Sequence, residues 1–359
     1  DKRVVEEFTD KEFEMYSRQI VLSAIGYQGQ EKLKKGRVAV VGVGGLGSPV
    51  ATLLTAMGVG YIRIIDRDIV EVSNLHRQHL YTFKDVGYPK VEVAAKRLRE
   101  LNPYIEVEPF PIFIDDSTVL EAVRDVDVVV DGLDNFKARR AVNKACYKLS
   151  IPYIYASAIE TYGSTTTIIP GVGPCLECIF PNVSDEGLPT CSTVGVHPSV
   201  LQIISGIEVY EVVNILTGKS PRLLGKLLIY DLRELTSSLV DVTKSKYCSV
   251  CGGLGVEKEE VRYPVVEEVC ARGGLATFMV NPGRIIRLNL EELLSRLNSP
   301  KYKLITRSQL GMTLQIDSKI KFSLLHSGIA VIEGVESGEE ALRIYRDIME
   351  NVIKIETEI

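Results

Sequence analysis

The clearest pattern in the chain is a short apolar stretch that runs directly into a row of glycines. Residues 38–41 are consecutive apolar residues, and Gly42, Gly44 and Gly47 follow with the spacing G-x-G-x-x-G. An apolar run that ends in glycines is typical of a buried parallel strand that turns sharply into a helix. Gly42 permits the tight turn, Gly44 lets the backbone approach a phosphate because it has no Cβ, and Gly47 lets the helix pack on the strand.

Further apolar runs alternate with amphipathic stretches along the following two hundred or so residues. An amphipathic helix begins at Lys90, helical patterns cover Thr9–Lys35 and Ser199–Leu216, and the predicted strands are Tyr61–Ile65, a Val-rich strand within Val123–Asp134, Ile151–Ala158 and Ser164–Pro170. Alternating strands and helices predict an α/β fold. We expect a Rossmann-like, mostly parallel sheet with helices on both faces.

The character of the sequence changes at about Glu257, where charged residues suggest a linker that includes Cys270. Short strand patterns, among them Arg284–Leu288, and a closing amphipathic helix then predict a compact α+β segment. We therefore expect a nucleotide-binding domain over residues 1–256 and a small α+β domain over residues 257–359.

Composition narrows the class of protein. A chain of 359 residues with 45% hydrophobic and 25% charged residues is ordinary for a globular protein of two or three domains. A net charge of -5 argues against general nucleic-acid binding. No apolar run approaches the roughly 20 residues of a membrane helix, and no signal-peptide core is present. We expect a cytoplasmic protein with no membrane partner.

Four of the seven cysteines form two C-x-x-C pairs, Cys175 with Cys178 and Cys248 with Cys251. In a chain without an export signal this pattern favours metal or redox chemistry over a disulfide framework. The two pairs together predict a structural Zn²⁺ site with four thiolate ligands and no catalytic water. Two independent thiol pairs are the alternative.

Polar residues follow the predicted strands at the sheet edge where ligands bind in such folds. Asp66 ends the second strand and can hold a ribose hydroxyl, and Asn74 and Arg77 can either reach phosphates or belong to an ordinary solvated loop. Lys90 begins a helix, where the dipole disfavours a cation, so it is either exposed or compensated by an anion. Asp134 can bind magnesium or cap the next helix.

Spacing alone leaves two further residues undecided. Cys191 lies in a polar loop before a helix, where a thiol can have a lowered pKa and act as a nucleophile, or can be a small buried residue. Arg18 lies among apolar residues of a predicted helix, and its spacing favours a solvated helix residue.

Taken together, the motifs resemble the MoeB/ThiF family and the adenylation domains of ubiquitin-activating enzymes. The resemblance covers about Phe13–Gly253. It rests on Ser17-Arg18-Gln19-Ile20, Gly44-Gly45-Leu46-Gly47, Asp66-x-Asp68, Ser73-Asn74-Leu75-His76-Arg77-Gln78, Lys90, Asp134 and both C-x-x-C pairs.

The resemblance implies an ATP site in which the glycine loop, including Gly45, cradles phosphates. Asp66 would hold the ribose, and Asp134 would bind Mg²⁺. Asn74, Arg77 and Lys90 would contact the phosphates. Arg77, Lys90 and the Mg²⁺ ion on Asp134 would supply the positive charge that two reacting anions need.

Two residues gain roles through the resemblance. Arg18 would reach the partner subunit's site like an arginine finger, which implies a homodimer with composite sites. Cys191 falls where the family places a cysteine, in the loop that crosses over the substrate tail, and would form a thioester.

The implied reaction is adenylation of the C-terminal glycine of a ubiquitin-like protein that ends in Gly-Gly. Thioester formation on Cys191 and transfer to a conjugating enzyme would follow, with residues 257–359 as a partner-docking domain that is in part ubiquitin-fold-like. The alternative is activation of a sulfur-carrier protein for thiocarboxylate formation, as in molybdopterin, thiamine or tRNA thiolation. Competing interpretations are an NAD-dependent oxidoreductase, a non-catalytic subunit of a heterodimer, and a relative that adenylates a modified tRNA base.

Overall fold

The computed structural model describes residues 7–188, 191–253, 265–272, 274–297 and 300–352, in which two sheets organise the chain. The strands of the larger sheet are β1 (Arg37–Val41), β2 (Tyr61–Ile65), β3 (Glu106–Phe110), β4 (Val128–Asp131), β5 (Tyr153–Ile159), β6 (Tyr162–Ile168), β7 (Lys226–Asp231) and β8 (Thr236–Asp241). Their spatial order is β3-β2-β1-β4-β5-β6-β7-β8. Pairing is parallel from β3 to β5 and antiparallel from β5 to β8, so the mostly parallel α/β sheet predicted from the sequence is confirmed.

Helices cover both faces of this sheet. They are α1 (Asp10–Ile20), α2 (Gly26–Lys35), α3 (Gly47–Ala56), α4 (Lys90–Leu101), α5 (Val119–Val123), α6 (Phe136–Leu149), α7 (Leu176–Ile179), α8 (Cys191–Val194) and α9 (Pro198–Leu216). Alternate residues of β1 enter two separate cores: Val38 and Val40 pack with α3, α4 and α9, whereas Ala39 and Val41 pack with α5 and α6. A strand buried on both faces explains the unbroken apolar run before the glycines.

The predicted helical stretch at the N-terminus is two helices rather than one. Thr9 caps α1 through a reciprocal pair, in which Thr9 Oγ1 accepts from Glu12 N at 3.2 Å and the Glu12 carboxylate accepts from Thr9 N at 2.9 Å. The chain then turns before α2, which begins at Gly26 with φ of +67°. A positive φ interrupts a right-handed helix and is readily adopted by glycine.

Helix α9 is the one described helix that is long and apolar enough to cross a membrane by length and composition. Val200, Ile204 and Val212 on this helix are fully buried inside the protein. Buried carboxylic side chains at Glu208 and Glu211 lie on the same helix. These features are those of a core helix that packs beneath the sheet.

A second sheet follows within residues 265–352, which we call the C-terminal module. Its strands are β9 (Val265–Arg272), β10 (Leu275–Asn281), β11 (Lys303–Arg307), β12 (Gly311–Gln315), β13 (Lys321–Leu325) and β14 (Ala330–Glu333), and its helices are α10 (Leu290–Arg296) and α11 (Gly338–Arg346). The strand order is β11-β12-β13-β14-β10-β9, and all described pairings are antiparallel. One face packs on α10 and α11.

Two local predictions in this module are wrong. Residues 265–272, which the sequence suggested as linker, form β9. Backbone hydrogen bonds to β10 hold this strand in place, and its charged sequence gives no local sign of them. Arg284–Leu288 forms no strand; instead Ile286 N and Leu288 N donate singly to Ser327 O and His326 O. The predicted boundary between residues 256 and 257 lies outside the described residues, and the docking role of the module stays a prediction.

Candidate functional site

The glycine loop connects β1 to α3 at the carboxyl edge of the sheet. Gly42 has φ of +88°, and a Cβ there would lie 2.5 Å from Gly132 O. A Cβ on Gly47 would lie 1.7 Å from Gly42 O, and one on Gly45 would lie 2.8 Å from Leu201 Cδ1. Gly42 and Gly47 are therefore required by the protein's own packing, because backbone atoms block their Cβ positions, whereas at Gly45 only the Leu201 side chain would have to move.

Gly44 differs from the other glycines of the loop. A Cβ there would meet only the Gln78 side chain, with Nε2 at 3.5 Å, and would otherwise point into open space. In the part of the chain that the structure describes, the N–H groups of Gly44, Gly45 and Leu46 have no acceptor. Free N–H groups beside a backbone without a Cβ form a cradle for an anion at the start of α3. The residues present thus fit the phosphates of a nucleotide.

Asp66, the predicted ribose ligand, ties the end of β2 to this loop. Its two carboxylate oxygens accept from Val43 N and Asp68 N, each at 2.8 Å. Burial raises the pKa of Asp66, and Asp68 adds to the rise against the opposing effect of Lys90. A carboxylate oxygen has a second lone pair, so these bonds leave room for a ribose hydroxyl.

Lys90 is buried at the first turn of α4, and its Nζ lies 3.1 Å from Asp68 Oδ2. Burial would lower the pKa of Lys90, but Asp68 and Asp66 outweigh it, so the pKa is raised. The lysine is therefore charged, and the sequence alternative in which an anion compensates it is correct. Asp68, which belongs to the Asp66-x-Asp68 motif, is thus the carboxylate that pairs with Lys90 at this edge.

Asn74 and Arg77 lie in the loop after β2. Asn74 is buried, and its Oδ1 accepts from Glu71 N at 3.0 Å, which shapes a 3-10 turn. Arg77 is part-exposed, and its Nη1 donates to Ser73 O at 2.8 Å. Gln78 is buried beside Gly44, and its Oε1 has no partner in the described structure. A buried oxygen without a hydrogen-bond partner beside the glycine loop makes Gln78 a candidate site residue. Gln78 is part of the motif Ser73–Gln78, but its position in the sequence predicts no role for it.

Asp131, which ends β4, and Asp134, which follows the strand, have different surroundings. Asp131 is fully buried and accepts from Tyr153 Oη at 2.5 Å, Leu133 N at 2.8 Å and Arg139 Nε at 3.1 Å. Asp134 is exposed, and its Oδ1 accepts from Asn135 Nδ2 at 3.1 Å. Asn135, rather than Asp134, caps α6 by accepting from Ala138 N. Asp134 therefore does not cap the helix. Its carboxylate fits the role of a magnesium ligand, because Mg²⁺ is usually bound by one or two carboxylates together with the phosphates of a substrate.

Arg18 and Cys191 are not brought to this edge by the described contacts. Arg18 is exposed on α1 and makes no ion pair with any residue that the structure describes. Cys191 begins the short helix α8, and its side chain lies outside the described residues. Their predicted roles stay predictions.

The four C-x-x-C cysteines converge, with all four Sγ atoms within 4.8 Å of one another. Cys175 Sγ lies 3.5 Å from Cys248 Sγ, and Cys178 Sγ lies 3.3 Å from Cys251 Sγ. Tetrahedral Zn–S bonds of about 2.3 Å place sulfurs about 3.8 Å apart, so the donor set fits zinc. The predicted convergence of the two pairs is confirmed, and it closes residues 175–251 into one unit.

Comparison with known proteins agrees with this site. The model of the ThiF family matches residues 16–250. A sulfur carrier protein adenylyltransferase of Thermus thermophilus is 39% identical over 262 residues, 71% of this chain and 97% of that protein. A sulfur carrier protein ThiS adenylyltransferase of Bacillus subtilis is 33% identical over 335 residues, 92% of this chain and 97% of that protein.

Among solved structures, MccB of E. coli, crystallised with MccA-N7isoASN, superposes with a TM-score of 0.60 and 28% identity. The match covers 67% of this chain and 75% of MccB. The family match spans more than half of the chain and includes the glycine loop, Asp66, Lys90, Asp134 and three of the four clustered cysteines. The chain is therefore an adenylyltransferase that belongs to the ThiF family.

Proposed function

We propose that this enzyme uses ATP to adenylate the C-terminal glycine of a small sulfur-carrier protein. The observation that supports the proposal is the open face of Gly44 at the same edge of the sheet as the charged Lys90, which is paired with Asp68. Asp66 joins the two, since it accepts from the glycine loop and lies close enough to Lys90 to affect its pKa. An anion-binding cradle of N–H groups together with a fixed cation is what binding a nucleotide's phosphates requires.

The chemistry joins two anions. A glycine carboxylate attacks the α-phosphorus, its new O–P bond replaces the bond to pyrophosphate, and an acyl-adenylate results. No side chain need act as a base, because the carboxylate is already ionised. Lys90 and Arg77 would offset charge on the phosphates, and the bound tail would supply proximity. Bound magnesium would supply further charge stabilisation, with Asp134 as its protein ligand.

The relatives favour sulfur-carrier activation over conjugation. Both the Thermus and the Bacillus relatives are named as sulfur-carrier adenylyltransferases. The Bacillus alignment covers 92% of this chain and so includes most of the C-terminal module. The module therefore accompanies sulfur-carrier activation in that protein, which weakens our expectation that it docks a conjugating enzyme.

An exposed apolar edge supports a protein substrate. Strand β8 ends the large sheet, and Leu235, which precedes it, is 73% exposed. Leu239 and Val240 on β8 are also exposed. An unpaired edge with apolar side chains can accept a strand of another protein. We propose that the carrier docks there and extends its tail toward Gly44.

We also propose a homodimer. Val21, just after α1, is 78% exposed, and Phe13 and Leu22 nearby are exposed as well. A second copy that covers these side chains would bring Arg18 to a neighbouring site. The reduced cysteine cluster fits a cytoplasmic setting, where thiolates persist as metal ligands.

Carrier-dependent exchange of labelled pyrophosphate into ATP tests the proposal. We expect exchange with a carrier that ends in Gly-Gly and none with the same carrier lacking its last glycine. Asp134→Ala should lower exchange about 100-fold. Glu106→Gln, at the amino end of β3 and thus away from the carboxyl edge of the sheet, should leave exchange unchanged. Exchange that ignores the carrier tail, or survives Asp134→Ala, would disprove the proposal.

A thioester on Cys191 is a separate step that this proposal does not need. The thiolate would attack the acyl-adenylate carbonyl, the new S–C bond would replace the C–O bond to the phosphate, and AMP would leave. Cys191→Ala should then leave exchange intact and remove any thiol-sensitive adduct with the carrier. An adduct that persists in Cys191→Ala would exclude Cys191 as the nucleophile.

A further inference from the structure

The C-terminal module packs directly against the nucleotide edge of the large sheet. Met279, Leu325 and Val331 of the module form one apolar cluster with Ile69 and Phe113. Ile69 lies three residues after Asp66, and Phe113 follows the end of β3. The module therefore covers loops at the carboxyl ends of β2 and β3, where ligands bind in this kind of sheet.

Glu267 of the C-terminal module forms ion pairs with residues of the large sheet's domain. It is paired in register with Met279, so the two side chains lie on the same face of the sheet. Glu267 Oε2 accepts from Arg67 Nη1 at 2.9 Å, and Glu267 Oε1 lies 3.7 Å from Lys137 Nζ. One carboxylate thus binds two cations, one from the loop after β2 and one from the first turn of α6.

Both cations lie near Asp134. Lys137 is in the first turn of α6, and Asp134 lies three residues before it in sequence, just ahead of the N-cap residue Asn135. Arg67 lies within electrostatic reach of Asp134: burial would lower the pKa of Arg67, but Glu267, Asp68 and Asp134 outweigh it and raise the pKa. Without another partner, either cation would compete with a metal ion for the Asp134 carboxylate.

We infer that Glu267 is a positioning residue that holds Arg67 and Lys137 away from Asp134, so that this carboxylate is available to magnesium when ATP binds. The inference rests on the proposed function, because it takes Asp134 as the magnesium ligand. It gives the C-terminal module a part in the nucleotide site.

The module has enough other contacts to stay in place without Glu267. The Glu92 carboxylate accepts from Gln309 N and Leu310 N, both at 3.0 Å. Thr306 and Thr313 each donate to Gly87 O at 3.3 Å. Glu267→Gln, which keeps size and removes charge, should therefore fold with the module docked.

Titration calorimetry of ATP, with magnesium and with a chelator in its place, tests the inference on the full chain. Glu267→Gln should weaken ATP binding about fivefold in magnesium, the effect of roughly 1 kcal/mol for one part-exposed ion pair. The loss should be small in chelator. Adding Arg67→Gln to Glu267→Gln should restore most of the affinity, because the freed competitor is gone. Glu268→Gln, an exposed neighbour on the opposite face of β9, should bind like the wild type.

A purely structural role for Glu267 predicts other results. Equal weakening with and without magnesium, or a double variant no better than Glu267→Gln, would overturn the inference while leaving the proposed function intact. Failure of the wild-type chain to bind ATP would overturn the proposed function, and the inference with it.

Discussion

Lys90 Nζ lies 3.1 Å from Asp68 Oδ2, across 22 residues of sequence. The pair places a charged lysine at the start of α4, where the helix dipole alone would disfavour it. Burial alone would lower the pKa of Lys90, but the nearby carboxylates outweigh it, so the pKa is raised and the lysine stays charged.

Lys90→Met should therefore remove a phosphate contact with little change of shape. We expect carrier-dependent pyrophosphate exchange to fall about 100-fold. Lys96→Met, on an exposed position of the same helix, is the matched control and should retain wild-type exchange. Equal activity of the two variants would show that Lys90 has no part in the site.

Gly44 and Gly47 should respond differently to alanine. Gly44→Ala has room within the protein, so its unfolding temperature should stay near the wild-type value while ATP binding is lost. In Gly47→Ala the Cβ would lie 1.7 Å from Gly42 O, so we expect that variant not to fold stably. Gly206→Ala, which meets nothing within 4 Å on α9, should keep both stability and ATP binding. Tight ATP binding by Gly44→Ala would mean that phosphates do not pass over that residue.

The cysteine cluster should hold about one zinc ion per chain, as measured by atomic emission. Cys248→Ser should lower the metal content and the unfolding temperature, because binding energy at a structural site is folding energy. Cys146→Ala is the control: Cys146 is buried outside the cluster, and burial alone raises its pKa. Zinc that is fully retained in Cys248→Ser would argue for a different ligand set.

Helix α9 carries two buried glutamates that should behave in opposite ways. Glu208 has no hydrogen-bond partner for either oxygen in the described structure, and burial raises its pKa well above its ordinary 4.5. Such a group stabilises the fold below its unfolded pKa, and this stability is lost as pH rises toward the folded pKa. Glu208→Gln should thus be more stable than the wild type at pH 8, with the difference vanishing near pH 4.

Glu211 is the matched control. Its carboxylate accepts from Arg222 N, Leu223 N and Thr167 Oγ1. Glu211→Gln should lower the free energy of unfolding by about 1–3 kcal/mol, because a donor replaces one acceptor. Denaturant unfolding at both pH values measures the two variants. A Glu208→Gln protein that is less stable than the wild type at pH 8 would contradict the account.

The sequence predicts some parts of this structure better than others, for physical reasons. The glycine loop is predictable because a strand that turns sharply into a helix needs the positive φ of Gly42 and the close approach of Gly47 to Gly42 O. The C-x-x-C pairs are predictable because metal ligands have strict spacing. Strand β9 is not predictable, because Glu267 on this strand forms its ion pairs with Arg67 and Lys137, which lie in a distant part of the sequence.

Ion pairs and hydrogen bonds between residues far apart in the sequence cannot be predicted from local patterns either. Arg67 and Glu267 are 200 residues apart, and neither carries a motif that points to the other. The same holds for Asp131, the last residue of β4, whose partners lie 8 and 22 residues further along the chain. Its bonds to Tyr153 and Arg139 engage it within the core.

Intact-mass spectrometry of the carrier after incubation with enzyme, ATP and magnesium tests the central claim most directly. We expect a carrier species heavier by one adenylyl group with the wild-type enzyme. Neither Gly44→Ala nor a carrier without its terminal glycine should give it. A carrier that is never adenylylated by an enzyme shown to bind ATP would contradict the account.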